Sequence, residues 1–266
     1  MNTGNVKNKL VFYTLLFSTA SISPHVHSEQ SVTPTISIII DDIGYKFKED
    51  IRALALPGPV AYAILPHAPH TKKMSQIAFN KGKDILLHQP MQAEVMNKNE
   101  FLGPGALTLN MTREEFLKTL NINMQAVPNL IGINNHMGSL LTRHPGHMQW
   151  LMETMNANKQ FYVDSLTSEE SVAARLAKEN NVPYLTRDVF LDHQLQKKYV
   201  RQQFKELIRV AKRNGYALGI GHPHINTIEV LSDVLQNVNK YGVKFVSIKS
   251  LVKKSASGKN YAQNRN

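Results

Sequence analysis

The chain has 266 residues, of which 42% are hydrophobic, and it carries a net charge of +11. This composition is typical of a globular protein, and the length suits one large α/β domain of the barrel kind. The sequence contains no cysteine, which excludes disulfide bonds and cysteine-based zinc sites. Any metal would therefore need ligands from histidine, aspartate or glutamate.

The first 28 residues have the features of a secretory signal peptide. Lys7 and Lys9 precede an apolar stretch over residues 10–22, and Val26 and Ser28 stand where a signal peptidase requires small residues. We predict cleavage after Ser28, a linker over residues 29–34, and a domain outside the cytoplasm, in the periplasm. An uncleaved membrane anchor is the alternative, although the apolar stretch is short for a bilayer.

Basic residues are concentrated at the other end of the chain. From Lys240 onward there are six lysines and one arginine with no acid, which gives +7 of the +11. Because the chain carries a secretion signal, we do not predict a nucleic-acid partner for this segment. We predict that residues 253–266 form a basic tail, which is either a solvated chain end or a contact with the anionic envelope surface.

From residue 36 onward, short apolar runs alternate with helical patterns, as in βα units around a largely parallel sheet. The first run contains three consecutive isoleucines and is typical of a strand buried on both faces. The predicted strands cover residues 36–40, 61–65, 84–87, 130–133, 161–163, 183–185, 216–220 and 243–248.

Helices are predicted between these strands from apolar spacing and capping residues. Capping boxes begin two of them, at Thr112 with Glu115 and at Thr167 with Glu170. The predicted helices lie around residues 74–78, 112–124, 148–155, 167–180, 204–211 and 231–238. A long irregular segment, residues 92–110, is expected to border the site, either as a passive surface loop or as a lid hinged at Gly103 and Gly105.

Residues of the types used in catalysis follow one predicted strand after another. They are Asp41, Asp42, His88, Asn135, His136, Asp164, Arg187, Asp188 and His222. In a (β/α) barrel the C-terminal ends of the strands meet at one mouth, where active sites lie. A single histidine near a strand is usually structural, but this whole set favours an active site.

Asp41 and Asp42 are the centre of that set. An Asp-Asp-Ile-Gly run after a strand is also an ordinary turn sequence. The two carboxylates can instead be splayed, so that one binds a metal while the other takes a proton. Aspartate and histidine ligands without thiolate suit Zn²⁺, with Mn²⁺ or Co²⁺ as alternatives. With an imidazole as acid, such a site would match hydrolysis of an unactivated amide or ester.

Taken together, the motifs within residues 35–252 resemble the divergent polysaccharide deacetylases, a branch of the carbohydrate esterase and chitin deacetylase superfamily. These motifs are Ile-Ile-Asp41-Asp42-Ile-Gly, His88-Gln-Pro-Met, Asn134-Asn135-His136-Met-Gly-Ser139, Val163-Asp164-Ser165, Arg187-Asp188-Val-Phe-Leu-Asp192 and Gly221-His222-Pro223. The resemblance implies a distorted (β/α) barrel of mostly parallel strands, a divalent metal, and removal of N-acetyl groups from an envelope polysaccharide or peptidoglycan-type glycan.

The resemblance also implies roles for individual residues. In the superfamily the first aspartate of the pair is the base and the second is a metal ligand, which assigns these roles to Asp41 and Asp42. His222 matches the late histidine that acts as the acid. The ligand histidines of the superfamily lie four residues apart, but Gln92 stands at that distance from His88.

We therefore expect His136, at the next strand end, to supply the missing ligand beside His88, with His222 in reserve. Asn135, Asp164, Arg187 and Asp188 are predicted to contact substrate. Asp164 or Asp188 is also a candidate to orient the His222 imidazole, and Arg187 to act as a charge partner of Asp41.

Two functions of different classes follow from these features. The first is a periplasmic, metal-dependent polysaccharide deacetylase. The second is a catalytically inactive protein on the same fold that binds glycan or organises the envelope. The intact Asp41-Asp42 pair favours the enzyme, because a binding module needs no free base beside a metal.

Overall fold

The structure, a computed structural model, describes residues 1–4, 33–95 and 102–263, with side chains described up to residue 256. The chain divides into Met1–Ser31 and Val32–Asn266, and the second unit contains every element below. Nearly all of the predicted signal peptide and linker lie outside the described residues. None of the described helices is long and apolar enough to span a membrane.

Strands and helices alternate along most of the domain. In chain order they are β1 (Thr35–Ile43), α1 (Phe47–Ala53), β2 (Ala61–Ile64), α2 (Thr71–Asn80), β3 (Ile85–Met91), α3 (Arg113–Ala126), β4 (Gly132–Met137), α4 (Pro145–Ala157), β5 (Phe161–Asp164), α5 (Ala173–Glu179), β6 (Tyr184–Thr186), β7 (Val189–Phe190), α6 (Lys197–Asn214), β8 (Tyr216–Gly221), α7 (Ile225–Leu235), β9 (Lys244–Phe245) and α8 (Ile248–Gln263).

The strands form one sheet in the order β6-β5-β4-β3-β2-β1-β8-β7, with β9 beside β1. Every pairing between the described strands is parallel. β6 and β7 lie at opposite ends of this order, yet only Arg187 and Asp188 separate them in the chain. The sheet must therefore curl until its edges nearly meet, which confirms the predicted distorted (β/α) barrel.

Alternating side chains divide the sheet between two apolar clusters. One set packs with helices α1 to α7 on the outer face. The other set packs with Ile248, Leu251 and Val252 of α8 on the inner face, and its strand members include Ile39, Leu86, Val163, Leu185 and Ile220. Strand side chains repeat every two residues. Two residues beyond these members stand Asp41, His88, Ser165, Arg187 and His222.

The same alternation that fills the barrel interior with apolar side chains therefore delivers polar side chains to its mouth. This relation explains why catalytic-type residues follow strand after strand in the sequence. The apolar residues of α8 pack on the inner face, at the end of the barrel away from these polar residues.

Two local predictions were wrong, and helix α1 and strand β7 were not foreseen. The helix predicted from Thr167 begins only at Ala173, because the Thr167 hydroxyl donates to the Met137 carbonyl instead of capping a helix. The last predicted strand is limited to Lys244–Phe245, and Ile248 already begins α8.

The predicted start of the basic tail at residue 253 falls inside α8. Lys254 Nζ donates to the Gly215 carbonyl at 2.9 Å and to Thr35 Oγ1 at 3.2 Å. Ser255 is buried and lies 3.0 Å from the Tyr216 hydroxyl. The helix therefore continues to make domain contacts beyond the predicted boundary.

The described part of the long loop is anchored rather than free. Leu107 is fully buried and forms a β-bridge with Met91. The Gly105 carbonyl accepts a hydrogen bond of 2.7 Å from Asn123, and a Cβ on Gly105 would lie only 2.3 Å from Asn123 Oδ1. This packing does not fit a hinge at Gly105. The rest of the predicted lid, residues 96–101, lies outside the described residues.

Replacing Leu251 by alanine tests the position of α8. Leu251 is fully buried on the inner face of the sheet, so Leu251→Ala should lower the free energy of unfolding by about 2–5 kcal/mol. Lys249→Ala, on the exposed side of the same helix, should change it by less than about 0.5 kcal/mol. Equal effects in urea denaturation would contradict this packing.

Candidate active site

A one-residue bulge in β1 turns both aspartates toward the barrel interior. The register between β1 and β2 shifts between Ile40 and Ile43, so β1 carries one residue more than its partner there. Asp42 has a φ of 58°, in the left-handed region that aspartate tolerates better than most residues. In a regular strand Asp41 and Asp42 would face opposite sides. The bulge removes that alternation.

Both carboxylates consequently approach one imidazole, that of His88. Its Nε2 lies 3.1 Å from Asp42 Oδ1 and 3.7 Å from Asp41 Oδ2. The pair is therefore not splayed in the way expected from the sequence. The two groups still differ in their surroundings, because Asp41 is only 3% exposed whereas the Asp42 side chain is 35% exposed.

Asp42, His88 and His136 form a compact group of possible metal ligands. Asp42 Oδ1 lies 3.0 Å from His136 Nδ1, and the two imidazole nitrogens are 3.2 Å apart. A tetrahedral site with bonds of about 2.0–2.1 Å has ligand atoms about 3.3 Å apart. The three atoms thus have nearly the spacing of ligands around one small cation.

The hydrogen bonding of this group also fits a cation. Asp42 Oδ1 is buried without a hydrogen bond of acceptable geometry among the described residues, despite the two nitrogens nearby. A buried oxygen left in this state is costly unless another partner satisfies it. Burial acts against ionisation, but the close imidazoles of His136 and His88 hold the pKa of Asp42 well below its usual range. The ligand set predicted from the sequence is therefore brought together.

Asn134 fixes the orientation of His88 and was missed as a site residue. Its Oδ1 accepts a hydrogen bond of 2.9 Å from His88 Nδ1, and its Nδ2 donates to Asp41 Oδ1 at 2.8 Å. With the ring proton on Nδ1, the Nε2 lone pair faces Asp42 and His136. Asn134 is fully buried in β4. Its place in the Asn-Asn-His motif was the only signal in the sequence.

His222 approaches the pair of aspartates from β8. Its Nε2 lies 3.8 Å from Asp42 Oδ2, while its Nδ1 lies 3.0 Å from Asp192 Oδ1. Burial disfavours the charged ring, but Asp192, Asp42 and Asp41 outweigh that effect and raise the pKa of His222 to about 9. The residue that orients the imidazole is therefore Asp192, and the prediction of Asp164 or Asp188 was wrong.

Asp192, His222 and His224 also lie close enough to form a second possible metal group. The Asp192 carboxylate, however, already accepts from the His222 backbone amide at 2.7 Å and the Thr227 hydroxyl at 2.8 Å. The His222 ring lies on its other oxygen, so both oxygens of this carboxylate already take part in hydrogen bonds. Its arrangement is that of an anchor for His222.

Two of the residues predicted to bind substrate are engaged within the protein. Asn135 Oδ1 accepts from the Tyr162 hydroxyl and the Ser165 amide, and its Nδ2 donates to the Met137 carbonyl. Asp164 accepts from the Leu166 amide and from Ser171 in the same way. These contacts shape the loops at the mouth, and direct contact with substrate stays a prediction.

Arg187 and Asp188 join the two edges of the sheet. The Arg187 guanidinium donates to the carbonyls of Ser165 and Leu166. Burial lowers its pKa, while the nearby charges of Asp164 and, to a smaller extent, Asp41 act in the opposite direction; a role as charge partner of Asp41 stays a prediction. Asp188 instead accepts a 2.8 Å hydrogen bond from the Leu218 backbone amide, in the middle of β8.

A cleft of about 320 Å³ opens onto the group. Part of its wall is made by the site residues themselves and part by neighbouring side chains. Its lining residues are Asp42, Tyr45, Lys46, Leu65, His136, Met137, His222, Pro223 and His224. The long loop does border this cleft, since a Cβ on Gly103 would lie 3.1 Å from the Tyr45 hydroxyl.

Residues 38–252 match the family of divergent polysaccharide deacetylases, and the chain belongs to that family. An uncharacterized protein of Haemophilus influenzae is 40% identical over 233 residues, which cover 88% of this chain and 79% of the relative. The uncharacterized protein YibQ of Escherichia coli is 34% identical over 203 residues, which cover 76% of this chain and 63% of that relative.

Solved structures with low sequence identity share the fold. An uncharacterized protein from Agrobacterium tumefaciens C58 has a TM-score of 0.79 at 21% identity, covering 84% of this chain and 90% of the other. A variant of the peptidoglycan deacetylase PdaC from Bacillus subtilis has a TM-score of 0.52 at 10% identity, covering 88% of this chain and 98% of the other. A CE4 family pseudoenzyme from Bacillus anthracis has a TM-score of 0.50 at 10% identity, covering 83% of this chain and 66% of the other.

Removing the charge of Asp192 should lower the pKa of His222. The hydrogen bond to Asp192 is the largest influence that raises this pKa, so Asp192→Asn should move the titration of His222 below that in the unmodified protein. NMR titration of metal-free protein measures this shift, with His222→Gln to assign the resonance. Asp188→Asn serves as the control, because Asp188 binds the Leu218 backbone. An equal shift in both variants would contradict the role of Asp192.

Proposed function

We propose that this protein is a metal-dependent hydrolase that removes N-acetyl groups from an envelope polysaccharide. One observation carries the proposal: three ligand atoms from Asp42, His88 and His136 converge beside a second carboxylate, Asp41, and an imidazole, His222. Membership of the divergent polysaccharide deacetylase family supports the same reaction and a glycan substrate.

Asp42, His88 and His136 would hold the divalent cation, which we infer to be Zn²⁺ from the two imidazole ligands and from the spacing of the three atoms. When bound, such a cation polarises a carbonyl oxygen and acidifies water. Asn134 keeps His88 in the tautomer that a ligand requires. These features are properties of the chain itself.

We assign Asp41 the role of general base. Its Oδ1 is held by Asn134, and its Oδ2 faces the ligand group from a buried position. Burial raises the pKa of Asp41 more than the charges of His88 and His222 lower it. A carboxylate with a raised pKa accepts a proton more readily, here from the water that attacks the acetamide carbonyl.

We assign His222 the role of general acid. After water adds to the carbonyl carbon, the C–N bond breaks and the amine nitrogen takes up a proton, while acetate leaves. Despite burial, the hydrogen bond to Asp192 and the nearby carboxylates raise the pKa of His222 to about 9 in the metal-free protein, which favours the protonated imidazole that a general acid needs before it donates. Asp192 holds the ring by Nδ1, so Nε2 remains the donating atom.

The proposal includes a location. The predicted signal peptide would deliver the domain to the periplasm, where an acetylated envelope glycan is accessible. The basic residues of α8 and beyond would add electrostatic attraction to the anionic envelope. A second candidate, a catalytically inactive glycan-binding protein, is supported by the pseudoenzyme among the solved structures of this fold.

The ligand assignment predicts the metal content of variants. An Asp42→Ala, His88→Ala double variant should lose the metal that the purified protein retains, because two of three ligand atoms are removed. His193→Ala, at an exposed histidine outside the group, should keep it. Elemental analysis after dialysis gives the result, and unchanged metal in the double variant would refute the assignment.

The acid and base roles predict the turnover of variants that retain metal. Asp41→Asn and His222→Gln should each lower kcat for acetate release by about 10²–10⁴-fold. His193→Gln should leave kcat unchanged. Wild-type protein that binds metal and glycan yet releases no acetate would instead support the inactive binding protein.

A further inference from the structure

The cleft lining holds one permanent cation, Lys46, beside three histidines. Its one carboxylate, Asp42, belongs to the proposed ligand set, and its other ionisable groups are Lys46, His136, His222, His224 and the Tyr45 phenol. A metal ion would add further positive charge. The cleft therefore offers an anion favourable interactions and offers a second cation none.

Lys46 is the cation of the cleft that has no acidic partner. Among the described residues, arginines make most of the ion pairs between permanent cations and carboxylates, for example Arg113 with Glu153 and Arg201 with Asp233, and Lys197 pairs with Glu229. Within the same described residues, no carboxylate pairs with the Lys46 ammonium. A lysine in a cleft wall whose charge is uncompensated is available to a ligand.

The backbone that carries Lys46 is held in place. The Lys46 carbonyl accepts a 2.8 Å hydrogen bond from the Asp50 amide, and Asp50 Oδ2 accepts one of 3.0 Å from the Gly44 amide. Asp50 is fully buried. The turn that follows the bulge in β1 therefore fixes the backbone of Lys46 relative to Asp42, only four residues earlier.

An exposed aromatic ring accompanies this cation. Tyr45 is 47% exposed and lines the same cleft wall. Ligand sites commonly combine an apolar or aromatic surface with a few charged groups that fix orientation. A sugar ring carrying an acidic group offers both complementary features, an apolar face and an anion.

We propose that Lys46 makes the site selective for N-acetylated glycans that carry an anionic substituent, a carboxylate or a phosphate, on or beside the sugar held at Asp41 and His222. This inference rests on the proposed function for its glycan substrate. The ammonium pairs with the substituent, while Tyr45 packs against the sugar ring. Lys46 thus determines which glycan binds and takes no part in proton transfer.

Binding to a protein without turnover tests this selectivity. Titration calorimetry on metal-loaded Asp41→Asn compares three N-acetylglucosamine oligomers of equal length: neutral, carboxylated by lactyl ether groups, and phosphorylated. At low salt we expect at least one anionic oligomer to bind about fivefold more tightly than the neutral one. The preference should shrink at about 0.5 M salt because the charges are screened.

The same titration on double variants, each combining Asp41→Asn with a change at one lysine, assigns the preference to one side chain. Lys46→Gln should abolish it and Lys46→Arg should keep it, with neutral binding nearly unchanged in both. Lys48→Gln, which removes an exposed lysine of α1 that does not line the cleft, should also keep it. The inference is overturned if neither anionic oligomer binds more tightly than the neutral one, or if the preference survives in Lys46→Gln.

Acetate release by the wild type separates the two proposals. A Lys46-dependent preference in binding without any acetate release would contradict the proposed hydrolase activity but support the proposed anionic-glycan site. Acetate release with equal kcat/KM on neutral and anionic oligomers would support the hydrolase and overturn the selectivity assigned to Lys46.

Discussion

The bulge between Ile40 and Ile43 is the constraint on which the candidate site depends. A regular strand would send one aspartate into the barrel and the other toward the helices on its outer face. With one extra residue and a positive φ at Asp42, both carboxylates instead face His88. Such bulges re-aim side chains at the rims of barrels, and the strained residue here is itself a proposed ligand.

The remaining site residues depend on the ordinary alternation of the other strands. The inward-facing residues of these strands are apolar in the part of the barrel that α8 covers, and polar at the strand ends that form the mouth. Burying these groups is costly, and the structure offsets the cost with specific partners. Asn134 joins His88 to Asp41, and Asp192 joins the His222 ring to the His222 backbone amide and to Thr227 of α7. Within the Asp41, Asp42, His88 and His222 group, the buried Asp42 Oδ1 lacks a hydrogen-bond partner among the described residues, and it lies where a cation would complete the group.

The sequence predicted the barrel and the position of most candidate site residues because both follow from strand periodicity, whereas the roles of those residues came from the family resemblance. Apolar runs located the long strands, and the residues that follow them share one end of a parallel sheet. Asp192 and Asn134 were not assigned roles, because their importance lies in hydrogen bonds to side chains far away in the sequence. The bulge could not be seen either, since an Asp-Asp pair has the same sequence whether its side chains diverge or converge.

Short elements also escaped prediction for a physical reason. β7 has two residues and α1 has seven, so neither is long enough for an apolar period to emerge. The Thr167 and Glu170 pair had the spacing of a capping box, but tertiary contacts took both side chains: Thr167 donates to Met137, and Glu170 pairs with Arg143. Local propensity was overridden there by the packing of the loop at the barrel mouth.

X-ray absorption spectroscopy of the purified, zinc-loaded protein tests the central claim most directly, because it reports the atoms bound to the metal. Convergence of Asp42, His88 and His136 predicts one zinc per chain with only nitrogen and oxygen neighbours, including two imidazoles, at about 2.0–2.2 Å. A first shell with one imidazole or none, or a failure to retain stoichiometric metal, would contradict the claim that the bulge builds a metal site.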